Sequence, residues 1–293
     1  MTAENPSAFV LVGPTASGKS SVAQLLAEQI GAPLVSADSM NIYRGMDIGT
    51  AKPSFSERGN VLYFGIDLAD PTESFSVGDW LSAVKPAFEQ TVIVAGGTGL
   101  YVKCLLAGLD DLPAADAELR ARAEKMPLAE LQAEAKNAAP EAYEALTDKE
   151  NPRRLVRLLE HGGVSNAWKQ ELPTVVGLHV ERDILHKRIA ARVEQMYSAG
   201  LIDEARGLID LELSSTAEKA IGYAEAFAVL RGEMTEAEAK EKTVIRTRQL
   251  AKRQMTWFRH QLNVEWIDTA DFQTLEKLVE AVSNVWKPVP VSV

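Results

Sequence analysis

The segment GPTASGKS, residues 13–20, has the residue types needed to bind a polyanion. It satisfies the pattern G-x-x-x-x-G-K-[ST], in which successive backbone N–H groups surround a phosphate and the following helix adds its positive end. Lys19 would add a mobile positive charge, and Ser20 would place its hydroxyl on a magnesium ion. A plain glycine-rich turn is the alternative. The predicted diphosphate- or nucleotide-binding residues are Gly13, Pro14, Thr15, Ala16, Ser17, Gly18, Lys19 and Ser20.

A second glycine-rich segment, GGTG at residues 96–99, follows the apolar stretch TVIVA. An ATPase usually has an acid at the end of such a strand, where it holds magnesium and positions water. Here the glycines would let the backbone approach a ligand, and Thr98 offers a hydroxyl in place of a charge. The segment therefore favours a second wall of the phosphate pocket over ATP hydrolysis, although a tight turn before a helix would use the same residues.

Asp38 follows another apolar stretch, PLVSA. Parallel strands present their carboxyl ends to one crevice, so this carboxylate is expected beside the anion loop. A carboxylate next to a bound electrophile can take a proton from an incoming nucleophile. The alternative is that Asp38 only caps the next turn. The residue thus predicts an enzyme that activates an acceptor, without identifying the acceptor.

Apolar strands that alternate with amphipathic helices position these residues. The segments SAFVLVG, PLVSAD, TVIVA and TVVGLHVERD read as strands, and KSSVAQLLAEQI reads as a helix that Gly31 ends. VEWID is expected to be the last strand, followed by the tail WKPVPVSV. This order predicts an α/β fold: a P-loop NTPase-like parallel sheet covered by helices. Strand signals vanish in the middle, which predicts a core of residues 1–111 and 174–293 with a small helical insertion domain at residues 112–173.

Composition indicates a folded protein: of 293 residues, 46% are hydrophobic and 25% charged. The sequence shows no secretory signal and no long apolar run, so we expect a cytoplasmic protein without membrane contact. The single cysteine, Cys104, excludes an internal disulfide and a multi-cysteine zinc site.

The formal net charge of −10 argues against a nucleic-acid partner, but residues 242–260 contain no acid and many bases. We expect this basic run to form mostly one helix. Its basic residues are Lys242, Arg246, Arg248, Lys252, Arg253 and Arg259. Its apolar residues, expected to face inward, are Val244, Ile245, Leu250, Met255 and Phe258. A solvated basic surface is the alternative to a nucleic-acid contact.

Five segments occur in order: GPTASGKS, SADSMNIYRGMDIGTAKP, AGGTGLY, AIGY and RQLAKRQMTWFR. Together they closely resemble the bacterial tRNA dimethylallyltransferases, also called tRNA isopentenyltransferases, over about residues 9–266. The resemblance implies transfer of a dimethylallyl group from dimethylallyl diphosphate to the N6 amine of the adenosine 3′-adjacent to the anticodon. The loop would then hold the departing diphosphate, with Mg²⁺ as the implied cofactor. It also implies a monomer whose partners are tRNA and dimethylallyl diphosphate, without a membrane.

The resemblance assigns catalytic roles to Asp38 as the base and to Thr98 and Arg120 beside the same pocket. It also assigns the helical insertion domain to the tRNA anticodon arm. The implied tRNA-binding residues are Asp38, Ser39, Met40, Asn41, Arg153, Arg154, Leu155, Val156, Arg157, Lys219, Gly222, Tyr223, Arg248, Lys252 and Arg253. Read without the family, Arg120 would be a solvated helix residue, and the arginines of NPRRLVR would pair with nearby acids.

The chain departs from the family in two places. Relatives often carry arginine on both sides of the xxGY segment, whereas this chain has Lys219 before it and Ala224 after it. The insertion is also short, and residues 160–170 are poor in the basic residues that some relatives have. Two rival functions stay open at this point: a small-molecule or nucleoside kinase, and an RNA-binding switch that binds nucleotide without turnover.

Overall fold

The computed structural model describes residues 7–109, 116–146, 148–162 and 171–293. The chain divides into two compact units: a sheet unit, Met1–Gly108 with Leu172–Val293, and a helical unit, Leu109–Glu171. The predicted insertion start at residue 112 and most of the base-poor segment 160–170 lie outside the described residues.

Within the described ranges, seven strands form one sheet in the order β3-β2-β4-β1-β5-β6, with β7 beside β1. The first six pair in parallel, and β7 runs antiparallel to β1. The strands are β1 (Ser7–Val12), β2 (Leu34–Ser36), β3 (Tyr63–Phe64), β4 (Val92–Gly96), β5 (Thr174–His179), β6 (Asn263–Asp268) and β7 (Val289–Pro290).

The α-helices of the described ranges follow the chain from the anion loop to the carboxyl-terminal region. They are α1 (Lys19–Ile30), α2 (Phe55–Arg58), α3 (Val77–Val84), α4 (Gly99–Ala107), α5 (Ala117–Glu124), α6 (Leu128–Ala138), α7 (Pro140–Ala145), α8 (Pro152–Glu160), α9 (Arg182–Ser198), α10 (Leu201–Arg206), α11 (Tyr223–Leu230), α12 (Glu236–Gln261) and α13 (Leu275–Val285). Two 3₁₀ turns lie at Lys85–Glu89 and Thr269–Asp271. None of these helices is both long and apolar enough to cross a bilayer.

The core of the sheet unit explains why the central strands are apolar on both faces. Leu11, Ile93 and Leu178 of β1, β4 and β5 are buried in one cluster with side chains of α1 and α13. Helix α1 ends where the sequence predicts, because Gly31 adopts a φ of +65° that L-residues rarely tolerate. The predicted parallel α/β sheet is thereby confirmed.

The carboxyl-terminal region differs from the prediction. VEWID forms β6 as expected, but it is not the last strand, because Val289 and Pro290 pair with Ala8 and Ser7. The pairing arises because β5 matches only the end of β1, leaving the beginning of β1 for β7. A proline can sit in such a short strand because it needs no ladder donor there.

The run between Asp38 and β4 also holds structure that the sequence did not predict: α2, β3 and α3. Both helices begin with a capping box, at Ser54 with Glu57 and at Ser76 with Asp79. In each, the serine side chain accepts from the third helical N–H and the acid accepts from the serine N–H. These short polar signals stabilise helices too short to show a hydrophobic period.

The predicted basic helix is confirmed as part of α12, which extends farther toward the amino end. Its inward face is only partly as predicted. Phe258 is fully buried, but Ile245 is 46% exposed. The prediction for Ile245 is wrong because the small residues Ala239, Thr243 and Ala251 form the buried face instead. Small residues let a helix approach its neighbours closely.

The helical unit has a small core of its own. Leu131 and Ala135 of α6 pack with Leu155 and Leu158 of α8. Leu155 is fully buried, and Val156 packs partly buried against the same cluster. The Leu155 side chain therefore packs in this core, and contact of Leu155 and Val156 with tRNA stays a prediction.

Candidate active site

The anion loop joins β1 to α1 and has an unusual backbone. Ala16 and Gly18 both have positive φ, 62° and 90°. The N–H of Ser17 donates to the carbonyl of Pro14 at 3.2 Å. Left-handed residues turn successive N–H groups toward one centre, which forms an anion-binding concavity. A non-glycine residue in this region costs free energy, and such strain concentrates at functional sites.

Lys19 is buried, with 9% of its surface exposed to solvent. Its Nζ has one weak contact, 3.4 Å to the carbonyl oxygen of Pro14. Burial lowers the pKa of Lys19 to about 8, while the carboxylate of Asp38 raises it and the guanidinium of Arg192 lowers it. A buried cation without a close partner is unfavourable by itself, so this lysine is arranged for a bound anion.

Ser17 and Ser20 offer two hydroxyls at the same loop. The Oγ of Ser17 is buried and has no hydrogen-bond partner among the described residues. Ser20 lies in the first turn of α1 with its side chain exposed. The described residues hold no group of three His, Cys, Asp or Glu side chains able to bind a metal by themselves. Hydroxyls of this kind fit Mg²⁺, which usually takes one or two protein ligands and binds phosphate oxygens and water besides.

Asp38 and Thr98 come together because β2 and β4 pass closely at their ends. A Cβ on Gly96 would lie 2.1 Å from the carbonyl oxygen of Ala37, so only glycine fits there. The Thr98 N–H donates to that carbonyl at 3.0 Å. The Oγ1 of Thr98 accepts from the N–H of Ser39 at 2.9 Å. The residue that follows Asp38 is therefore fixed to the GGTG turn.

Asp38 caps the turn that follows it, and its role as a base stays a prediction. Its Oδ1 accepts from the N–H of Met40 at 3.0 Å, which caps the turn. Its Oδ2 has no hydrogen bond within the part of the chain that the structure describes. The cap orients the carboxylate, and the second oxygen is left to accept a proton from a ligand. Burial lowers the pKa of Lys19 most, and the negative charge of Asp38 opposes that change.

Two arginines of α9 reach the anion loop, and sequence reasoning missed them. Arg188 Nη1 lies 3.4 Å from the carbonyl oxygen of Ser17, and Arg192 Nη1 lies 3.3 Å from Thr15 Oγ1. They are four residues apart, the spacing that places two side chains on one helix face. That spacing after a strand was the available signal. Burial lowers the pKa of Arg192, an effect that the Asp38 charge opposes.

Gln254 of α12 is a third residue that sequence reasoning left aside. Its Oε1 accepts from the N–H of Thr15 at 2.8 Å. Its Nε2 donates to the carbonyl of Gly97 at 3.0 Å. One neutral side chain thus joins the anion loop to the GGTG turn. A glutamine among so many basic residues was the signal in the sequence.

The motif that runs from Asp38 to Pro53 is a loop whose conformation is fixed by ion pairs and hydrogen bonds to polar side chains. Lys52 Nζ contacts Asp47 Oδ1 and Asp67 Oδ1, each at 2.6 Å, with 1% of its side chain exposed. Glu204 accepts from the N–H groups of Asp47 and Ile48. These ion pairs and hydrogen bonds fix the motif together with the buried side chains of Ile42, Tyr43 and Met46, which do not follow a helical or strand period.

Tyr223 of the AIGY segment belongs to the same support. It is fully buried, donates to Glu204 and accepts from the N–H of Gly49 at 3.2 Å. Burial, followed by the hydrogen bond to Glu204, raises its pKa. A Cβ on Gly49 would lie 2.4 Å from the Tyr223 ring. Tyr223, with its buried neighbour Gly222, therefore holds this loop, and contact of these residues with tRNA stays a prediction.

The remaining residues predicted to bind tRNA in the sheet unit differ in exposure. Ser39 and Met40 are partly exposed beside Asp38, whereas Asn41 is buried and its Nδ2 donates to Ser36 Oγ at 3.2 Å. Asn41 thus supports the turn. Lys219, Lys252 and Arg253 are exposed. Arg248 is half-buried, and its Nε has no hydrogen-bond partner among the described residues.

In the helical unit, Glu160 holds two of the predicted arginines. Arg120 donates to it from Nε at 2.6 Å and from Nη2 at 3.2 Å. Arg157 Nη1 lies 3.4 Å from the same carboxylate. The acid pairing considered for the NPRRLVR segment is therefore present at Arg157. Arg153 and Arg154 have exposed side chains on α8.

Comparison with known proteins gives consistent relatives. A family model described as IPP transferase matches residues 41–261, and one described as isopentenyl transferase matches residues 6–61. The chain is 39% identical to the tRNA dimethylallyltransferase of Streptomyces griseus, covering 90% of this chain and 91% of the relative. It is 37% identical to the tRNA dimethylallyltransferase of Chromohalobacter salexigens, covering 96% and 98%.

Solved structures agree with the fold. The tRNA isopentenylpyrophosphate transferase of Bacillus halodurans superposes with a TM-score of 0.70 at 35% identity, over 95% of this chain and 96% of that one. A eukaryotic dimethylallyltransferase acting on tRNA superposes with a TM-score of 0.78, over 98% of this chain and 81% of that one. At 20% identity, the second likeness supports the fold alone. With an anion loop, a strand-end carboxylate and these relatives, the chain belongs to the IPP transferase family.

Proposed function

We propose that the chain transfers a dimethylallyl group from dimethylallyl diphosphate to the N6 amine of the adenosine 3′-adjacent to the anticodon of tRNA, releasing diphosphate. The observation that carries the proposal is the chain of hydrogen bonds that joins the end of β2, where Asp38 lies, to the anion loop that carries Lys19. The N–H of Ser39 donates to Thr98, and Gln254 joins the neighbouring Gly97 to Thr15 of the loop. An anion-binding cation beside a proton-accepting carboxylate is what displacement of diphosphate by a weak nucleophile requires. Membership of the family supports the identity of donor and acceptor.

The donor's diphosphate binds at the anion loop. As the bond between C1 of the dimethylallyl group and the diphosphate oxygen breaks, its electron pair leaves with the diphosphate. The Lys19 ammonium and the loop N–H groups stabilise the charge that grows there. Arg188 and Arg192 contact the loop and add positive charge on the same side. The N–H of Thr15 is not one of the main hydrogen-bond donors to the diphosphate, because it already donates to Gln254 Oε1.

The acceptor is an aromatic amine whose lone pair is delocalised into the purine ring. Asp38 accepts an N6 proton as the bond between N6 and C1 forms, which raises electron density on the nitrogen. The bond from Met40 N–H to Oδ1 holds the carboxylate in place for this transfer. Direct attack is favoured over a covalent enzyme intermediate, because the single cysteine, Cys104, is buried away from solvent.

Mg²⁺ is the cofactor that this donor chemistry implies. The Ser20 hydroxyl would hold it together with donor phosphate oxygens, and the buried Ser17 hydroxyl is a second neutral oxygen of the same loop. When bound, the ion neutralises part of the diphosphate charge. Lys19 and the N–H groups of the anion loop also stabilise the negative charge of the diphosphate.

The tRNA is bound by exposed basic residues. Lys219, Lys252 and Arg253 of the sheet unit lie on the surface, and Ser39 and Met40 flank Asp38. The helical insertion domain, predicted at residues 112–173, binds the anticodon arm through Arg153 and Arg154 of α8. Arg120 is proposed as a substrate contact whose guanidinium Glu160 orients. The target base must leave its stack, which costs little in a single-stranded loop. The enzyme acts as a cytoplasmic monomer.

Incubation with dimethylallyl diphosphate, Mg²⁺ and unmodified tRNA carrying adenosine next to the anticodon tests the proposal. Mass spectrometry of the digested nucleosides should show one five-carbon addition to adenosine. A tRNA with guanosine at that position is the matched negative substrate. ATP consumption without RNA would support a kinase instead. Nucleotide-dependent RNA binding without a covalent product would support a switch.

Asp38→Asn tests the proposed base. We expect donor affinity to be kept and single-turnover transfer to fall by roughly 100- to 10,000-fold, the usual worth of general-base help. Asp70→Asn is the control, because the Asp70 side chain is exposed and its ion pair within the described residues is with the exposed Arg44. Turnover of the Asp38 variant equal to that of the control would remove Asp38 from the mechanism.

A further inference from the structure

We propose that Gln254 is a positioning residue for prenyl transfer: its side-chain amide sets the separation between the anion loop, which carries Lys19, and the turn that carries Thr98. The inference rests on the proposed function and adds a residue to it. Gln254 touches neither the donor nor the adenosine in this scheme. It acts through the two backbone segments that do.

The hydrogen bonds of Gln254 are the first support. Its two amide atoms are both used: Oε1 by the Thr15 N–H at 2.8 Å and Nε2 by the Gly97 carbonyl at 3.0 Å. Both contacts are partly buried. Thr15 is 239 positions from Gln254 in the sequence, and Gly97 is 157 positions from it. An amide is the side chain that can accept from one backbone and donate to another at once. The pairing therefore holds two loops at a fixed distance.

The glycines of the GGTG turn are the second support. A Cβ on Gly97 would lie 2.4 Å from Gln254 Nε2, and a Cβ on Gly99 would lie 2.1 Å from the ring of Trp257. Gln254 and Trp257 are three residues apart on α12 and lie on one face of the helix. This face packs directly against the backbone of Gly97 and Gly99, on either side of Thr98. Glycine is needed at both positions because α12 approaches so closely.

The location of Lys19 is the third support. The same Cβ on Gly97 would lie 3.7 Å from Lys19 Nζ, so the turn that Gln254 holds covers the ammonium. Displacing the turn would admit water to Lys19 and move Thr98 away from Ser39. Reacting groups misplaced by about 1 Å lose on the order of 100-fold in rate.

Charge explains why this position is a neutral amide. A carboxylate here would stand next to the diphosphate and repel it. A lysine or arginine could not accept from the Thr15 N–H, because these side chains have no acceptor. Glutamine satisfies both backbone groups and leaves the loop's positive potential unchanged.

Gln254→Met tests the inference, since methionine is similar in length and makes neither hydrogen bond. The control is Gln261→Met on the same helix, where Gln261 accepts from Lys103 at the exposed surface. We expect Gln254→Met to lower single-turnover transfer by roughly 10- to 100-fold, with tRNA affinity within about twofold of wild type. We expect this loss in the rate constant of the single-turnover trace, because every active molecule then holds its reacting groups less well. A purely structural role would lower the amplitude of the trace, which reports the fraction of active enzyme, and leave its rate constant unchanged.

Gly97→Ala tests the same contact from its other side, and it serves if Gln254→Met folds poorly. Its added methyl displaces the Gln254 amide, so it should reproduce the loss in the rate constant. If both Gln254→Met and Gly97→Ala transfer at the rate of Gln261→Met, the inference is overturned while the proposed function stands. A wild-type enzyme that adds no five-carbon group overturns both.

Discussion

Lys19 shows how one residue carries both a cost and a function. Its ammonium is buried with little to pair it, and burial lowers its pKa from 10.5 to about 8. Below pH 8 the folded and unfolded chains both carry the charge, so the folded state bears the full cost of burying it. As pH rises from 8 toward 10.5, the folded state loses the proton first and that cost is relieved. Stability is thus given up at neutral pH to hold a cation ready for diphosphate.

Donor binding should weaken above pH 8 for the same reason. Lys19 must be charged to hold diphosphate, so above its pKa binding has to take up a proton. We expect the dissociation constant of a non-reactive donor analogue to be flat below pH 7.5. Above about pH 8 it should rise by at most about tenfold per pH unit. Equilibrium titrations between pH 6.5 and 9.5 measure this.

Lys19→Arg is the control for that titration, because an arginine stays charged throughout this range. Its pH dependence should disappear even if its affinity is lower. A wild-type constant that stays flat to pH 9.5 would mean that another group carries the interaction.

Helix α12 shows that basic residues on one element can have opposite roles. Arg246 is 30% exposed in its side chain and pairs with Glu225, whose side chain is 1% exposed. It also donates to the carbonyl of Lys219 at 2.9 Å. Glu225 in turn accepts from the N–H of Gly222 and so closes the start of α11. Lys252, by contrast, is exposed.

Arg246→Met should therefore destabilise the fold by about 3–5 kcal/mol, the usual cost of leaving a buried charge without its partner. Lys252→Met, on the same helix, should leave stability within about 0.5 kcal/mol and weaken tRNA binding. Chemical denaturation and tRNA titration of both variants measure the two effects. Equal stabilities would mean that Glu225 finds another partner.

At the level of elements, the sequence predicts helices and strands that have a clear hydrophobic period or a clear start or stop signal, such as a glycine. The anion loop, α1 with Gly31, β4 and α12 were all foreseen on that basis. Helices α2 and α3 were not, because four and eight residues are too few to show a hydrophobic stripe. Strand β7 was missed because two residues with a proline look like a tail until the gap beside β1 is known.

The candidate site was foreseen where a motif carries the chemistry, as with Lys19, Asp38 and Thr98. It was not foreseen where contacts join distant segments. Gln254 meets Thr15 across 239 positions, and no local pattern records such a pair. Neighbouring residues of one motif also differ in burial. Tyr223 of AIGY is buried and holds a loop, whereas Lys219, just before the motif, is exposed.

For the whole molecule, a net charge of −10 coexists with a local basic surface. We expect tRNA affinity to fall steeply with salt, because each neutralised phosphate releases condensed cations. Replacing Lys252 and Arg253 together by methionine should reduce the slope of log affinity against log salt by about 1.5, at 0.7–0.9 per contact. Titrations from 50 to 300 mM salt measure the slope. A slope equal to that of wild type would mean that neither residue reaches phosphate.

The pairing of the first and last strands has a consequence for synthesis on the ribosome. The indole N–H of Trp286 donates to the carbonyl of Val10, 276 positions earlier, at 3.2 Å. A nascent chain exposes β1 long before β5, β6 and β7 leave the exit tunnel, and the helical unit emerges in between. Arg188, Arg192 and Gln254 emerge well after the anion loop, so the loop lacks these supports until α9 and α12 have left the tunnel. Competence to bind the prenyl donor is therefore acquired only after α12 has emerged, and a chain stalled before α12 would present an incomplete pocket to its substrate.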